Sequence, residues 1–163
     1  MSAFKNVVIA VAVATGMIVP SVTWADSHGK GTGFVSVKAS EIKWADAPSV
    51  GPGAKIAVLE GDLKAAAPFT MRIKLPPNLK IGVHTHPAVE RVTVLSGAFY
   101  FATGDKYDPA KAAAYEPGDA FMVPIGMPMY AFTGKEETII QLHGVGPWGL
   151  HFPDPADDPR KKN

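Results

Sequence analysis

Short segments of alternating apolar and polar residues constrain the fold of this chain more than any other feature. In residues 69–75, four apolar residues alternate with Thr70, Arg72 and Lys74, as in a strand with one buried face. Turn signals rich in Gly, Pro and Asp separate further segments of this kind, which lie at residues 55–60, 80–86, 90–96, 98–102, 120–123, 129–133 and 138–143. Short strands with frequent turns, and no helical period of useful length, predict an all-β antiparallel sandwich or barrel.

The first 25 residues have the composition of a cleaved secretory signal. Lys5 gives a short basic start, an apolar run covers residues 7–19, and residues 23–25 place small side chains where a signal peptidase reads them. The run is shorter than the roughly 20 apolar residues of a membrane span. We therefore expect a periplasmic or secreted protein; an uncleaved membrane anchor and a core helix are the alternatives.

The chain after the signal is long enough for one domain with a hydrophobic core. We divide it into a leader with the first strand or strands at residues 26–54, a barrel at residues 55–146 and a C-terminal extension at residues 147–163. The irregular start of that extension is expected to pack as a lid across the sheet, and its charged end, residues 157–162, is expected to be solvated. No second long apolar run is present, so we expect no membrane contact after signal cleavage.

Charge and cysteine content disfavour several kinds of function. Lys5 is the one basic residue of the signal, and without it basic and acidic residues are equal in number. That balance, together with the lack of a basic patch, disfavours nucleic-acid binding. The chain has no cysteine, which excludes thiolate metal ligands and cysteine nucleophiles. An unblocked edge strand would allow a homodimer.

Two histidines and one glutamate have the spacing of a metal site. His84 and His86 lie two residues apart, so a regular strand would direct both imidazoles to one face. Glu90 follows beyond Pro87, where a bend or a return strand would bring its carboxylate alongside them. Two nitrogen donors and a carboxylate form a donor set for a divalent transition metal. A buried glutamate also favours such an ion, because burial of a carboxylate is costly unless a cation pairs with it.

Two segments of the chain resemble the two sequence motifs of the cupin family, small β-barrels of jelly-roll type. The first reads HTHPAVERVTVLSG and matches the family's first motif at every spacing, through His84, His86, Glu90 and Gly97. The second reads GDAFMVPIG and matches through Gly118, Pro124 and Gly126. The resemblance covers residues 55–143. It implies a single-domain, cupin-type jelly-roll β-barrel that uses the two histidines and the glutamate of the first motif as metal ligands.

The chain departs from the family pattern at two places. Asn78 stands where a glycine usually opens the first motif, and Met129 stands where the second motif has its histidine. A thioether is a soft, neutral ligand that suits copper better than Mn²⁺ or Fe²⁺. The site is therefore a His₂-Glu-Met site biased toward copper, or a three-ligand site with open positions as in non-haem iron oxygenases, or a site in which Met129 is only core packing. The expected cofactor is a divalent transition metal, Fe, Mn or Cu, with Cu favoured if Met129 is a ligand.

His143 is the candidate for acid–base chemistry. Parity places it on one strand face with Ile139 and Gln141, and we expect Gln141 and His143 to line the barrel interior. His143 would there replace the missing ligand or act as a general base, with a hydrogen-bonded structural role as the alternative. The leading hypothesis is an exported metal-dependent oxidoreductase of the dioxygenase type with a small-molecule substrate. The alternative is a non-catalytic periplasmic protein that binds a metal, copper in particular, or a small ligand.

Overall fold

Two antiparallel β-sheets make up most of the molecule. The structure, a computed structural model, describes residues 34–161, so the expected signal and the start of the leader lie outside the described residues. Ten strands occur in the described part of the chain: β1 (Ala45–Asp46), β2 (Lys55–Glu60), β3 (Pro68–Leu75), β4 (Lys80–His84), β5 (Glu90–Ser96), β6 (Phe99–Thr103), β7 (Ala113–Tyr115), β8 (Ala120–Val123), β9 (Met129–Thr133) and β10 (Thr138–Val145). The predicted all-β, antiparallel class is confirmed.

The strand order explains how the two sequence motifs reach one interior. The larger sheet has the order β1-β2-β3-β10-β5-β8 and the smaller one β4-β9-β6-β7, with every neighbouring pair antiparallel. A single core contains residues of both sheets, among them Met71, Val92 and Leu142 from the larger and Phe99 and Met129 from the smaller. The first motif spans β4 and β5 and the second leads into β9, so both motifs contribute side chains to this core.

Alternation along the strands decides which side chains enter the core. In β3 every second residue from Phe69 to Leu75 is buried, as the sequence predicts. In β10 the inward residues are Ile140 and Leu142. The placement predicted for β10 was therefore wrong, because Gln141 and His143 lie on the opposite, outer face, where Gln141 accepts a hydrogen bond of 3.0 Å from Arg72 Nε.

Strand β4 is less regular than its sequence predicts. It pairs with β9 in a register that shifts between Ile81 and His84, which is a β-bulge. Because of the bulge, Ile81 and His84 both line the barrel interior although they are three residues apart. Asn78, just before β4, has a φ of 56°. Asparagine is among the residues that tolerate this left-handed region, which explains how it replaces the glycine of the motif.

The C-terminal extension packs against the barrel. Trp148 donates its backbone N–H to Leu63 O at 2.7 Å, and His151 pairs with Thr85 in an isolated β-bridge. The solvated end predicted for residues 157–162 is corrected at its first two residues, while Arg160 and Lys161 are exposed as predicted and Lys162 lies outside the described residues. Asp158 is buried and forms an ion pair with Arg160 at 2.8 Å, and Asp157 accepts a hydrogen bond from Val83 N.

Within residues 34–161 no helix has the length and apolar character needed to cross a membrane.

Candidate functional site

The two motif histidines reach the barrel interior from the end of β4. His84 is the last residue of that strand, and the Thr85–His151 bridge continues the extended backbone toward His86. Pro87 follows, and a residue before proline favours extended geometry. His84 is 6% exposed and His86 is 3% exposed. Their rings meet edge to face with centroids 4.9 Å apart.

Glu90 joins the histidines as the first residue of β5 and is also buried. Its Oε1 lies 3.5 Å from Nε2 of His86. All three side chains line one cavity of about 30 Å³ in the barrel interior. The structure therefore brings together the three polar residues that the first motif predicts.

Backbone carbonyls fix the orientation of both imidazoles. Nδ1 of His84 lies 2.8 Å from Gly82 O, and Nδ1 of His86 lies 2.7 Å from Gly149 O. A carbonyl oxygen only accepts hydrogen bonds, so each Nδ1 carries the proton and each neutral ring keeps its lone pair on Nε2. Nε2 of His86 is buried and has no hydrogen-bond partner among the described residues. An outer partner on one nitrogen and a free lone pair on the other is the usual condition of a metal-binding histidine.

Burial keeps all three groups in their neutral forms. It lowers the pKa of His84, and it lowers the pKa of His86 to about 4, with repulsion from His84 adding to the effect. Burial also raises the pKa of Glu90 to about 8. These shifts have one origin, since the apolar barrel offers little solvation to a charge. Without a cation, the site at neutral pH holds two neutral imidazoles and a protonated carboxyl group.

The donor set fits a transition-metal ion, although the described side chains do not form a complete coordination site. Two ligands on a tetrahedral ion with bonds of about 2.1 Å lie about 3.4 Å apart, and the distance from His86 Nε2 to Glu90 Oε1 is 3.5 Å. No three His, Cys, Asp or Glu side chains within residues 34–161 converge closely enough to hold an ion as they stand. A third donor would therefore have to turn toward the pair as the ion binds.

Met129 lies directly opposite His84. The two residues are register partners in the β4–β9 pair, and Met129 is 1% exposed and lines the same cavity. This position suits a fourth ligand and suits core packing equally well.

Two aromatic side chains of the C-terminal extension cover the motif histidines. The Trp148 ring stacks on the His86 ring with centroids 4.9 Å apart and planes 19° from parallel. The ring centroids of Phe152 and His84 are 5.8 Å apart. Nε1 of Trp148 is buried and has no acceptor within residues 34–161. The rest of the cavity wall is mainly hydrocarbon, including Ile73 and Leu150. The sequence places Trp148 and Phe152 in the predicted lid but gives no sign that they contact His84 and His86.

His143 lies outside this site. It is an exposed residue on the outer face of β10, where its register partner on β5 is Arg91, and it borders a shallow surface groove with Met122. The same parity that directs Leu142 inward directs His143 outward. The position assigned to His143 from the sequence is corrected: in this fold its side chain lies on the outer side of the sheet and the motif residues lie on the inner side.

Several solved structures superpose on this chain and share its fold. No family model matches the chain, and no curated protein sequence matches it. The polyketide cyclase RemF from Streptomyces resistomycificus superposes with a TM-score of 0.65 at 17% identity, over 78% of this chain and 91% of that one. KdgF from a Halomonas species gives 0.55 at 20% identity, over 71% and 96% of the two chains. An RmlC-like cupin from Shewanella frigidimarina gives 0.54 at 18% identity, over 68% and 89%. At these identities the likeness establishes the fold alone.

Proposed function

We propose that this chain, whose fold is that of the cupins, binds a divalent transition metal ion through His84, His86 and Glu90. We further propose that it acts as an oxidoreductase of the dioxygenase type on a small organic molecule. The observation that supports metal binding best is the unpartnered Nε2 of His86 beside the buried carboxyl group of Glu90. The expected ion is Fe, Mn or Cu.

The energetics of burial favour a cation at this position. A buried polar atom without a hydrogen bond costs roughly 1–3 kcal/mol, and a buried carboxylate without a partner costs more. The chain retains a buried imidazole nitrogen without a hydrogen-bond partner, and beside it a buried carboxyl group, in an apolar interior. An ion would satisfy both, since Glu90 could then lose its proton and bind as a carboxylate.

The surrounding residues have separate roles in such a site. The ion, when bound, would supply Lewis acidity and, for iron or copper, redox chemistry. The carbonyls of Gly82 and Gly149 keep the Nδ1 protons in place and so present Nε2 to the interior. The hydrocarbon wall limits water, and the unpaired N–H of Trp148 is available to an acceptor atom of a bound molecule.

The size of the cavity limits what the closed barrel can hold. The cavity of about 30 Å³ exceeds the roughly 10–15 Å³ that one water molecule requires, so it has room for a few water-sized groups. Dioxygen or two waters would fit beside an ion. A larger organic molecule requires a wall residue such as Trp148 or Leu150 to move.

A second candidate function is a non-catalytic copper-binding or small-ligand-binding protein. The position of Met129 opposite His84 favours it, because a thioether at that place would prefer Cu(I). The small cavity also favours it, since binding an ion needs no room for a substrate. The position of His143 on the outer face of β10 also favours it, because the general base predicted from the sequence is then absent from the cavity.

Metal loading of purified protein tests both candidates. We expect wild-type protein to bind one ion per chain after incubation with Fe²⁺, Mn²⁺ or Cu²⁺ and desalting, measured by elemental analysis. His86→Ala and Glu90→Gln should each lose at least 90% of the bound ion, an order-of-magnitude expectation for removal of one ligand in three. His143→Ala, whose side chain is outside the barrel, is the matched control and should bind like the wild type.

Oxygen uptake by the loaded protein then separates the two candidates. Consumption of O₂ in the presence of small phenolic or hydroxy-acid compounds would support the enzyme. Stoichiometric copper binding without O₂ uptake would support the binding protein. Wild-type protein that retains none of the three metals would reject both metal-based proposals.

The compartment and assembly of the protein are also proposals. We propose that the chain is exported and that cleavage occurs near Ala25, which N-terminal sequencing of the mature protein would test. A homodimer through a sheet edge is the expected assembly if one forms, because β8 is an edge strand with the strongly exposed Met122. Sedimentation of the wild type and of Met122→Lys would test that edge.

A further inference from the structure

One peptide group connects His84 to the C-terminal extension. The peptide that joins Gly82 to Val83 accepts a hydrogen bond at its oxygen from His84 Nδ1, at 2.8 Å, and donates its N–H to Asp157 Oδ2, at 3.1 Å. The bulge between Ile81 and His84 places this peptide where β4 leaves its regular pairing with β9. A bulge releases backbone groups from the ladder, so both ends of the peptide are available for these contacts.

We propose that Asp157 is a positioning residue for His84, acting through the Gly82–Val83 peptide. The carboxylate polarises the peptide N–H, which makes the carbonyl at the other end of the same group a stronger acceptor for the Nδ1 proton. A stronger bond at Nδ1 fixes the ring and raises the donor strength of Nε2. This inference deepens the proposed metal function and rests on it only for the part that concerns ion affinity.

The local packing is built around this contact. A methyl group on Gly82 would lie only 2.5–2.6 Å from the side chain of Asp157. The absence of a side chain at residue 82 is therefore what permits the carboxylate to reach the peptide. Gly82 has no left-handed backbone conformation to explain its presence, so the close approach of Asp157 is the physical reason for glycine at this position.

Several contacts hold Asp157 in place from its own segment. It ends the 3-10 turn Pro155–Asp157, in which the N–H of Ala156 donates to the side chain of Asp154. The next residue, Asp158, is buried and binds Arg160 through two hydrogen bonds of 2.8 Å. The negative charge of Asp157 also opposes the effect of burial on the pKa of His84. Geometry and charge thus agree on a link from Asp157 to His84.

The C-terminal extension contacts His86 more directly than it contacts His84. His86 donates directly to Gly149 O, a carbonyl of the C-terminal extension itself. His84 donates to Gly82 O of its own strand. The extension acts on His84 indirectly, through the hydrogen bond from Val83 N to Asp157. Loss of the Asp157 carboxylate should therefore affect His84 and leave His86 unchanged, which provides an internal reference.

Nuclear magnetic resonance of the two imidazole Hδ1 protons tests the proposal on the full chain without added metal. Asp157→Ala should move the Hδ1 resonance of His84 upfield and speed its exchange with water, while the Hδ1 signal of His86 stays in place. Asp157→Asn keeps an acceptor but loses the charge, so its shift should be intermediate. Asp154→Asn removes a charge from the same turn but keeps a side-chain oxygen that caps it, so Asp157 stays in place and both resonances should be unchanged.

Zn²⁺ titration of the same proteins adds the second readout. Asp157→Ala should weaken Zn²⁺ binding about tenfold, as expected for loss of an outer partner of a ligand, and Asp154→Asn should not. An unchanged His84 resonance in Asp157→Ala, or equal changes at both histidines, would overturn the proposal whatever the metal affinity. A selective His84 shift in a chain that binds no ion would support the link and reject the metal function alone.

Discussion

Nδ1 of His86 lies 2.7 Å from the carbonyl oxygen of Gly149, a residue that lies 63 positions further along the chain. The hydrogen bond joins the first sequence motif to the C-terminal extension. Trp148, the neighbour of Gly149, stacks on the same imidazole. The orientation of this ring therefore depends on a segment outside the strands that carry the motifs.

Glu90 should make the stability of the metal-free protein fall as pH rises. Burial raises its folded-state pKa from 4.5 to about 8, so the folded protein holds a proton that the unfolded chain has released. Its stabilising contribution is complete below pH 4.5 and is lost as pH rises toward 8. The histidines act in the opposite direction, since the pKa of His86 is lowered from 6.5 to about 4 and its contribution is lost as pH falls below 6.5.

Of the three buried groups of the site, Glu90 is the one whose contribution changes mainly above pH 6.5, which gives a window for its measurement. We expect urea unfolding of wild-type protein in a chelating buffer to show a loss of about 1–2 kcal/mol between pH 6.5 and 8. Glu90→Gln should be nearly flat over the same range, because it has no proton to lose. A wild-type slope equal to that of Glu90→Gln would contradict the burial of a protonated carboxyl group.

Replacement of Met129 should change metal preference if its sulfur binds the ion. Met129→His would supply a nitrogen donor opposite His84, and we expect preference to shift from Cu toward Fe or Mn in competitive loading followed by elemental analysis. Met129→Leu keeps the apolar volume without the sulfur and should lose about tenfold in Cu(I) affinity. No change in either variant would assign Met129 to core packing.

Trp148 should report binding of an ion at His86 through its fluorescence. Its ring stacks on that imidazole at 4.9 Å, so a paramagnetic ion such as Cu²⁺ would quench its emission. Trp44 is the reference, because it does not line the cavity and lies under the Lys74 ammonium group, which is 4.9 Å from its ring centroid. In protein that lacks residues 1–25, and therefore Trp24, Cu²⁺ titration of Trp148→Phe should show little quenching, and that of Trp44→Phe should show nearly all of it.

Gly97 and Gly126 form a matched pair for a stability measurement. Both have a φ of 71°, so alanine at either position meets the same backbone strain of about 1–2 kcal/mol. A Cβ at Gly97 would also lie 2.5 Å from Glu137 O, whereas nothing lies within 4 Å at Gly126. Gly97→Ala should therefore cost about 1–3 kcal/mol more than Gly126→Ala in thermal or urea unfolding. Equal losses would mean that the turn at Gly97 relaxes freely.

The sequence predicts most of the strands because each of these carries its own apolar–polar alternation, but it does not predict β7, whose three residues show no such pattern. Residues 69–75 alternate without interruption, and their inward face is unambiguous. In β10 the neighbours Ile139 and Ile140 are both apolar, so parity groups Gln141 with His143 but does not show which face is buried. The structure assigns the inside to Ile140 and Leu142.

The candidate site also has some features that the sequence predicts and others that it does not. His84, His86 and Glu90 are visible as a spacing of polar side chains, and they do meet at one cavity. The bulge in β4 is not visible, because no residue type marks the register shift before His84. The hydrogen bonds that orient the rings are equally hidden, since the acceptors at Gly82 and Gly149 are main-chain atoms common to every residue.

A contact that a main-chain carbonyl makes places little constraint on the residue type at that position. Gly149 supplies only its carbonyl to His86, and a methyl group there would meet nothing within 4 Å. Many residue types could therefore occupy the position while the contact persists. Related chains could vary widely along this segment and still share the same ring orientation, so alignments of side-chain identity would underrate the segment's part in shaping the cavity.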